Sequence, residues 1–111
     1  MWCQSDWNCY TFARIYSDKL TYVYPAPISK EITKKFCRLA LATYRAVDCL
    51  DFGRVDIRTD FEHNPYVLEI NPLPCLSGQD VFMTISEHHN IPFPQMIGKI
   101  IDAALKRYGI K

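Results

Sequence analysis

Residues 52–71 read Phe-Gly-Arg-Val-Asp-Ile-Arg, then a polar stretch, then Tyr-Val-Leu-Glu-Ile-Asn. Both apolar segments carry the two-residue period of a strand. Between them lies Thr59-Asp60-Phe61-Glu62-His63-Asn64-Pro65, rich in turn-forming residues. The stretch therefore predicts two short strands joined as an antiparallel hairpin. Along the first, Val55 and Ile57 share one face and Arg54, Asp56 and Arg58 the other. Along the second, Tyr66, Leu68 and Ile70 oppose Val67, Glu69 and Asn71. A register that sets apolar against apolar pairs Val55 with Ile70 and Ile57 with Leu68. The same register sets Asp56 beside Glu69 and Arg54 beside Asn71.

That polar row needs a physical reason. Carboxylates directly across a strand pair sit about 5 Å apart between Cβ atoms. Their repulsion is about 1 kcal/mol in water and about 3 kcal/mol at an effective dielectric of 20. A divalent cation would offset it, and Asn71 adds a third oxygen on the same face. Arg54 and Arg58 beside the acids would suit an anion such as phosphate. The alternative is a solvated outer face on which the arginines neutralise the acids.

At 111 residues the chain has the length of one small domain. Its 49% hydrophobic and 23% charged residues are ordinary for a globular protein. A net charge of +1 gives no electrostatic case for nucleic acid. No apolar run is long enough to span a bilayer, and the N-terminus lacks a signal-peptide layout. The five cysteines, Cys3, Cys9, Cys37, Cys49 and Cys75, are odd in number and contain no Cys-x-x-Cys pair. They read as neither a disulfide framework nor a zinc site, so a reducing cytoplasm is the simplest setting.

Residues 1–9 carry little pattern. Residues 10–16 and 20–24 alternate and are rich in aromatic and β-branched residues, which predicts a hairpin about Ser17-Asp18-Lys19. Ser29 reads as a helix N-cap with Glu31 in the first turn. Ile32, Phe36, Leu39, Ala40, Thr43 and Val47 then recur at helical spacing. After Asn71, Pro72-Leu73-Pro74-Cys75-Leu76-Ser77-Gly78 is an irregular loop because of its prolines. Residues 79–88 predict a short helix. Pro94 opens a last helix with Ile97, Ile100, Ile101, Ala104, Leu105 and Tyr108 on one face and Gly109 as its stop. Strands and helices do not alternate regularly, so the fold class is α+β: antiparallel strands packed by helices.

Other candidate residues are weaker. His88 and His89 are adjacent, and neighbours in a helix do not face each other; placement at a helix C-terminus explains them better than metal binding. His63 reads as a solvent-exposed loop residue. Cys37 and Cys49 read as small apolar residues. The chain has no Gly-rich phosphate loop and no nucleophile-elbow serine. Ser77-Gly78 is at most a weak phosphate or substrate contact.

From about Tyr24 onward the chain resembles the last portion of D-alanine–D-alanine ligase and its ATP-grasp relatives. The likeness is carried by Pro25-Ala26-Pro27 before a helix and by Leu-Ala-Leu-Ala-Thr-Tyr-Arg-Ala-Val within it. It continues in Gly53-Arg54-Val55-Asp56, Val67-Leu68-Glu69-Ile70-Asn71, the Pro-rich loop, and Phe-Pro-Gln-Met-Ile-Gly-Lys-Ile-Ile. The resemblance implies an ATP-grasp C-terminal subdomain over residues 24–111, with 1–23 as the remnant of a longer chain. It implies that Asp56, Glu69 and Asn71 are ligands of two Mg2+ (or Mn2+) ions, and that Arg54 is the catalytic contact to the transferring phosphate of ATP. Arg54 and Glu69 would be the cofactor-binding residues. The implied reaction is ATP-driven joining of a carboxylate and an amine through an acyl phosphate, of the kind used in peptidoglycan biosynthesis. Two divalent ions neutralising a transferring phosphoryl group are a sufficient physical reason for such ligands.

Two departures bear on the substrate. Cys75 stands where the ligases usually have Gly, whose backbone N–H helps to stabilise the tetrahedral intermediate. Asp80-Val81 stands where they have Ser-Leu against the second D-alanine. Cys75 and Asp80 are thus the expected substrate-side positions, and a related carboxylate–amine ligase is favoured over one strict for D-alanine. The family also clamps ATP with upstream parts that these residues do not supply, so the chain alone is expected to bind ATP weakly and turn over little. ATP and small amino acids are the expected partners, with a homodimer also in view and neither nucleic acid nor membrane. Two rival readings are a catalytically inactive ATP-grasp fragment serving as a binding or dimerisation module, and a magnesium-dependent phosphohydrolase.

Overall fold

The computed structural model describes residues 2–3, 22–77 and 81–110. Four strands occur among them: β1 (Trp2–Cys3), β2 (Tyr22–Val23), β3 (Arg54–Thr59) and β4 (Pro65–Asn71). Three helices accompany them: α1 (Lys30–Ala46), α2 (Val81–His88) and α3 (Phe93–Tyr108). The architecture is α+β, with two separate two-stranded antiparallel sheets, β1–β2 and β3–β4. The predicted strand at 20–24 appears as β2, paired with β1: Trp2 opposes Val23 and Cys3 opposes Tyr22. The other half of the predicted hairpin, residues 10–16, lies outside the described residues.

Helix α1 begins where its cap predicts. Ser29 is extended, and its hydroxyl oxygen accepts from the Ile32 amide at 3.3 Å. That satisfies one of the amides left open by the first turn. Glu31 in the first turn and Arg45 in the last complement the helix dipole. Ile32, Phe36, Leu39, Ala40 and Thr43 are half-buried on one stripe, and the helix packs on β3 and β4. Val47 was expected on that stripe but is exposed, because the helix ends at Ala46 and Val47 leaves helical geometry as the C-cap. Cys37 is also exposed rather than a core filler; it sits off the stripe.

Helices α2 and α3 pack as a pair. Asn90, in the left-handed region at φ 52°, turns the chain between them. Ser86, 4% exposed, donates its hydroxyl to the Ile91 carbonyl, and the Ile91 amide donates back to the Ser86 carbonyl at 3.0 Å. Gly109 ends α3 at φ 68°, and its amide donates to Leu105 and Lys106. The left-handed cap suits a residue without Cβ. Ile101 and Tyr108, expected on the packed face, are more than half exposed, whereas Ile97, Ile100, Ala104 and Leu105 are half-buried. The packed stripe of α3 is thus narrower than the apolar pattern. No helix among the described residues is long and apolar enough to cross a membrane.

Long-range polar links join these helices to the segment that enters β3. Arg107 on α3 donates a two-pronged pair of hydrogen bonds to Asp51, Nε to Oδ1 at 3.1 Å and Nη2 to Oδ2 at 2.8 Å. The guanidinium holds the Asp51 carboxyl below the usual carboxylate range. Phe52 packs edge-on against Phe82 of α2, with ring centroids 6.0 Å apart. Tyr24 hydrogen-bonds His89 Nε2 at 2.8 Å and meets the His88 ring edge-on. His88 and His89 thus fasten the end of α2 to the segment before α1.

Among the described residues no apolar side chain is fully buried. The elements are held by half-buried stripes and by these polar links. Phe61, Tyr66, Leu68 and Leu73 all stand largely exposed on or beside the hairpin.

Candidate functional site on the β3–β4 hairpin

The hairpin forms in the predicted register at its open end. Arg54 opposes Asn71, Val55 opposes Ile70, and Asp56 opposes Glu69. Beyond that point the expected pairing of Ile57 with Leu68 does not occur. A β-bulge shifts the register, so that Ile57 opposes Val67, Arg58 opposes Tyr66 and Thr59 opposes Pro65. Leu68 is the extra residue and is 65% exposed. A bulge puts two residues against one and adds local twist. Tyr66-Val67-Leu68 is an apolar triplet that a strict two-residue period cannot place on one face. The bulge turns Val67 and Ile70 inward and leaves Tyr66 and Leu68 outward. It lies directly beside the Asp56–Glu69 pair, so it also sets the angle at which Glu69 leaves the sheet.

The far end of the hairpin is held by Asp60. Its Oδ1 accepts from the amides of Glu62 (3.0 Å) and Asn64 (2.8 Å), and its Oδ2 accepts from Asn64 Nδ2 (2.9 Å) and the Tyr66 hydroxyl (3.2 Å). Lys35 of α1 donates to Asn64 Oδ1 at 3.3 Å, tying the turn to the helix. His63 at the tip is exposed and left-handed at φ 61°. The hydrogen bonds from the Asn64 side chain and backbone, with lesser ones from Glu62 and Tyr66, hold the Asp60 carboxyl below the ordinary range. A carboxylate lowered by folding stabilises the fold above its unfolded pKa, and that contribution disappears as pH falls through the folded value. Asp60→Asn cannot titrate. The gap in thermal midpoint between wild type and Asp60→Asn is therefore expected to close as pH drops below about 4. A gap that stays constant from pH 7 to pH 2 would show that the Asp60 charge does not hold the turn.

At the open end, four polar side chains are gathered. Arg54 donates from Nε to Asp56 Oδ1 at 2.7 Å and from Nη2 to Asp56 Oδ2 at 3.0 Å. The same Nη2 lies 4.0 Å from Glu69 Oε1. Arg54 and Asp56 are about one third exposed and Glu69 is 64% exposed. The cation needed between the two carboxylates is thus an arginine on the same strand. At this exposure such a pair contributes no more than about 1 kcal/mol. Asn71 Oδ1 accepts from the Leu73 amide at 3.0 Å. This turn starts the proline loop and aims the amide oxygen, which keeps a second lone pair.

Gly53 brings β3 close to its neighbours. A Cβ there would stand 3.1 Å from Cys49 Sγ, 3.3 Å from the Tyr44 ring and 3.4 Å from the Asn71 carbonyl oxygen. Cys49 is half-buried and its thiol points to the Phe52 carbonyl. In the loop after β4, Pro74 is buried while Cys75 and Ser77 are exposed. Asp80 and Gly78 lie outside the described residues.

Asp56, Glu69 and Asn71 offer only oxygen donors, two carboxylates and a carboxamide, the set a hard divalent cation takes. Among the described residues no three His, Cys, Asp or Glu side chains converge on one point, so the amide of Asn71 is essential to any such set. Sequence pattern placed these residues on one face. It did not show the Arg54–Asp56 fork, whose only local signal is the i, i+2 spacing of opposite charges. Nor did it show the Arg107–Asp51 link, which spans 56 positions.

The fold and hairpin describe a small α+β domain with a row of acid, amide and guanidinium groups on one strand pair. The chain belongs to the D-ala D-ala ligase C-terminus family, whose model matches residues 3–102. It is 28% identical over 90 residues to a D-alanine–D-alanine ligase of Pelotomaculum thermopropionicum, covering 81% of this chain and 28% of that protein. It is 34% identical over 84 residues to an uncharacterised protein of Sinorhizobium fredii, covering 76% of this chain and 25% of the relative. The chain thus spans about a quarter of the length of these curated relatives.

Proposed function

We propose that this chain is the metal-holding C-terminal part of an ATP-grasp carboxylate–amine ligase of the D-alanine–D-alanine ligase type. The observation that carries the reading is the register: Asp56 against Glu69 and Arg54 against Asn71, on one face of one hairpin. In this reading Asp56, Glu69 and Asn71 hold magnesium, whose charge offsets that of the phosphoryl group leaving ATP. Arg54 supplies a planar, permanently charged fork for phosphate oxygens. The β-bulge and the Asn71–Leu73 turn hold Glu69 and Asn71 in place around the ions. Cys75 and Asp80 are the proposed substrate-side positions, and residues 24–111 the proposed subdomain. With Cys75 and Asp80-Val81 in place of the usual residues, the amine acceptor need not be D-alanine.

The exposed apolar side chains on the hairpin, at the end of α1 and on α3 favour a part that works within a larger assembly. That agrees with low turnover by the chain alone. Titration with magnesium and a non-hydrolysable ATP analogue tests the reading. Saturable nucleotide binding that disappears when magnesium is chelated is the expected result; equal binding with and without magnesium would refute it. In an assembled enzyme containing this part, ADP release is expected to depend on an amine acceptor. Release that ignores every amine would instead favour a phosphohydrolase.

A further inference from the structure

The fork from Arg54 takes both oxygens of Asp56 and leans toward Glu69. A cation bound to Asp56 with this fork in place would stand within about 5 Å of the guanidinium. Two positive centres that close, sharing one carboxylate, are mutually unfavourable. We propose that Arg54 is a resident counter-ion exchanged for the metal. While the carboxylates lack a metal, the guanidinium neutralises them. As a divalent cation takes Asp56 and Glu69, the guanidinium lets go of Asp56 and becomes available to an anion. The arginine thus couples the two halves of the site: metal entry frees the phosphate contact. This rests on the metal reading above.

The coupling is built from the spacing of the chain. Arg54 and Asp56 are two apart on one strand, so their side chains leave the same face and reach each other without rearranging the backbone. Glu69 is paired opposite Asp56, so one side chain covers both acids. Arg58, further along β3, is exposed and lies past the bulge opposite Tyr66. It carries the same charge outside the fork and serves as the control.

Mn2+ titration of the full chain, with no nucleotide, tests the exchange. Arg54→Met is expected to bind Mn2+ about fivefold tighter than wild type, since no partner must be displaced. Arg54→Lys keeps the charge but loses the fork, and is also expected to tighten binding. Arg58→Met is expected to stay within about twofold of wild type, because an exposed charge at that range is screened. The Arg54 Nε–H resonance is expected to shift on adding Mg2+ to wild type, reporting release from Asp56. If wild type, Arg54→Met and Arg54→Lys bind Mn2+ alike, the exchange is wrong while the metal reading stands. A gain in Arg54→Met matched by Arg58→Met and absent from Arg54→Lys means that net charge alone acts, and the exchange is again wrong. If no variant binds Mn2+, both the exchange and the metal reading fall.

Discussion

Glu69→Ala is expected to weaken magnesium–nucleotide binding by at least about 100-fold, beyond the 10–100-fold typical of losing an outer-shell partner of a metal site. The same substitution is expected to leave the metal-free fold within about 1 kcal/mol of wild type, because it also removes the repulsion from Asp56. The opposition between the two effects is what identifies a ligand. A residue kept for structure would lower stability when removed and leave nucleotide affinity to follow. Glu69 is mostly exposed and close to one cation, Arg54, at a distance too long for a hydrogen bond. Its removal opens no cavity. Isothermal titration of both proteins, beside their thermal unfolding, checks the pair of outcomes. Unchanged affinity in Glu69→Ala would remove Glu69 from the site. A large loss of stability without a loss of affinity would make it a structural residue.

Gly53→Val is expected to cost about 2–3 kcal/mol, the range for forcing extra atoms into a packed site. Even the first added carbon would meet Cys49 Sγ and the Tyr44 ring at close range, and branching adds two more. Gly53→Ala is expected to cost less, about 1 kcal/mol, because the thiol of Cys49 can turn aside. The third neighbour, the carbonyl oxygen of Asn71, cannot move without shifting the end of β4. Strain at Gly53 therefore reaches Arg54 and Asn71 directly, and metal affinity is expected to fall with stability in Gly53→Val. Combining Gly53→Ala with Cys49→Ala removes the nearest contact, so the double variant is expected to recover much of the loss. Denaturant unfolding of the three variants measures this. Additive costs in the double variant would show that Cys49 is not what limits the space.

Much of the local structure was legible because its causes are local. Ser29 starts α1 by accepting an amide three residues on, and Gly109 stops α3 because its left-handed geometry disfavours a Cβ. The open end of the hairpin was legible because matching Val55 with Ile70 leaves one choice for the polar face. The bulge was not read from the pattern, although Tyr66-Val67-Leu68 breaks the alternation there. Which of the three is pushed outward depends on what α1 covers, and that is a packing outcome. The extent of the helical stripes was misjudged for the same reason. Val47, Ile101 and Tyr108 continue the apolar period but run past the surfaces that α1 and α3 meet.

The sequence by itself determined an α+β chain with capped helices and a hairpin that presents Arg54, Asp56, Glu69 and Asn71 together. It did so because strand alternation and helix capping depend on neighbours within a few residues. Only the tertiary structure decided that Arg54 closes on Asp56, that a bulge sets Glu69, that Gly53 lies against Cys49 and Tyr44, and that Arg107 holds Asp51. Those contacts depend on distances between side chains whose positions follow from the packing of separate elements, and no local period encodes them.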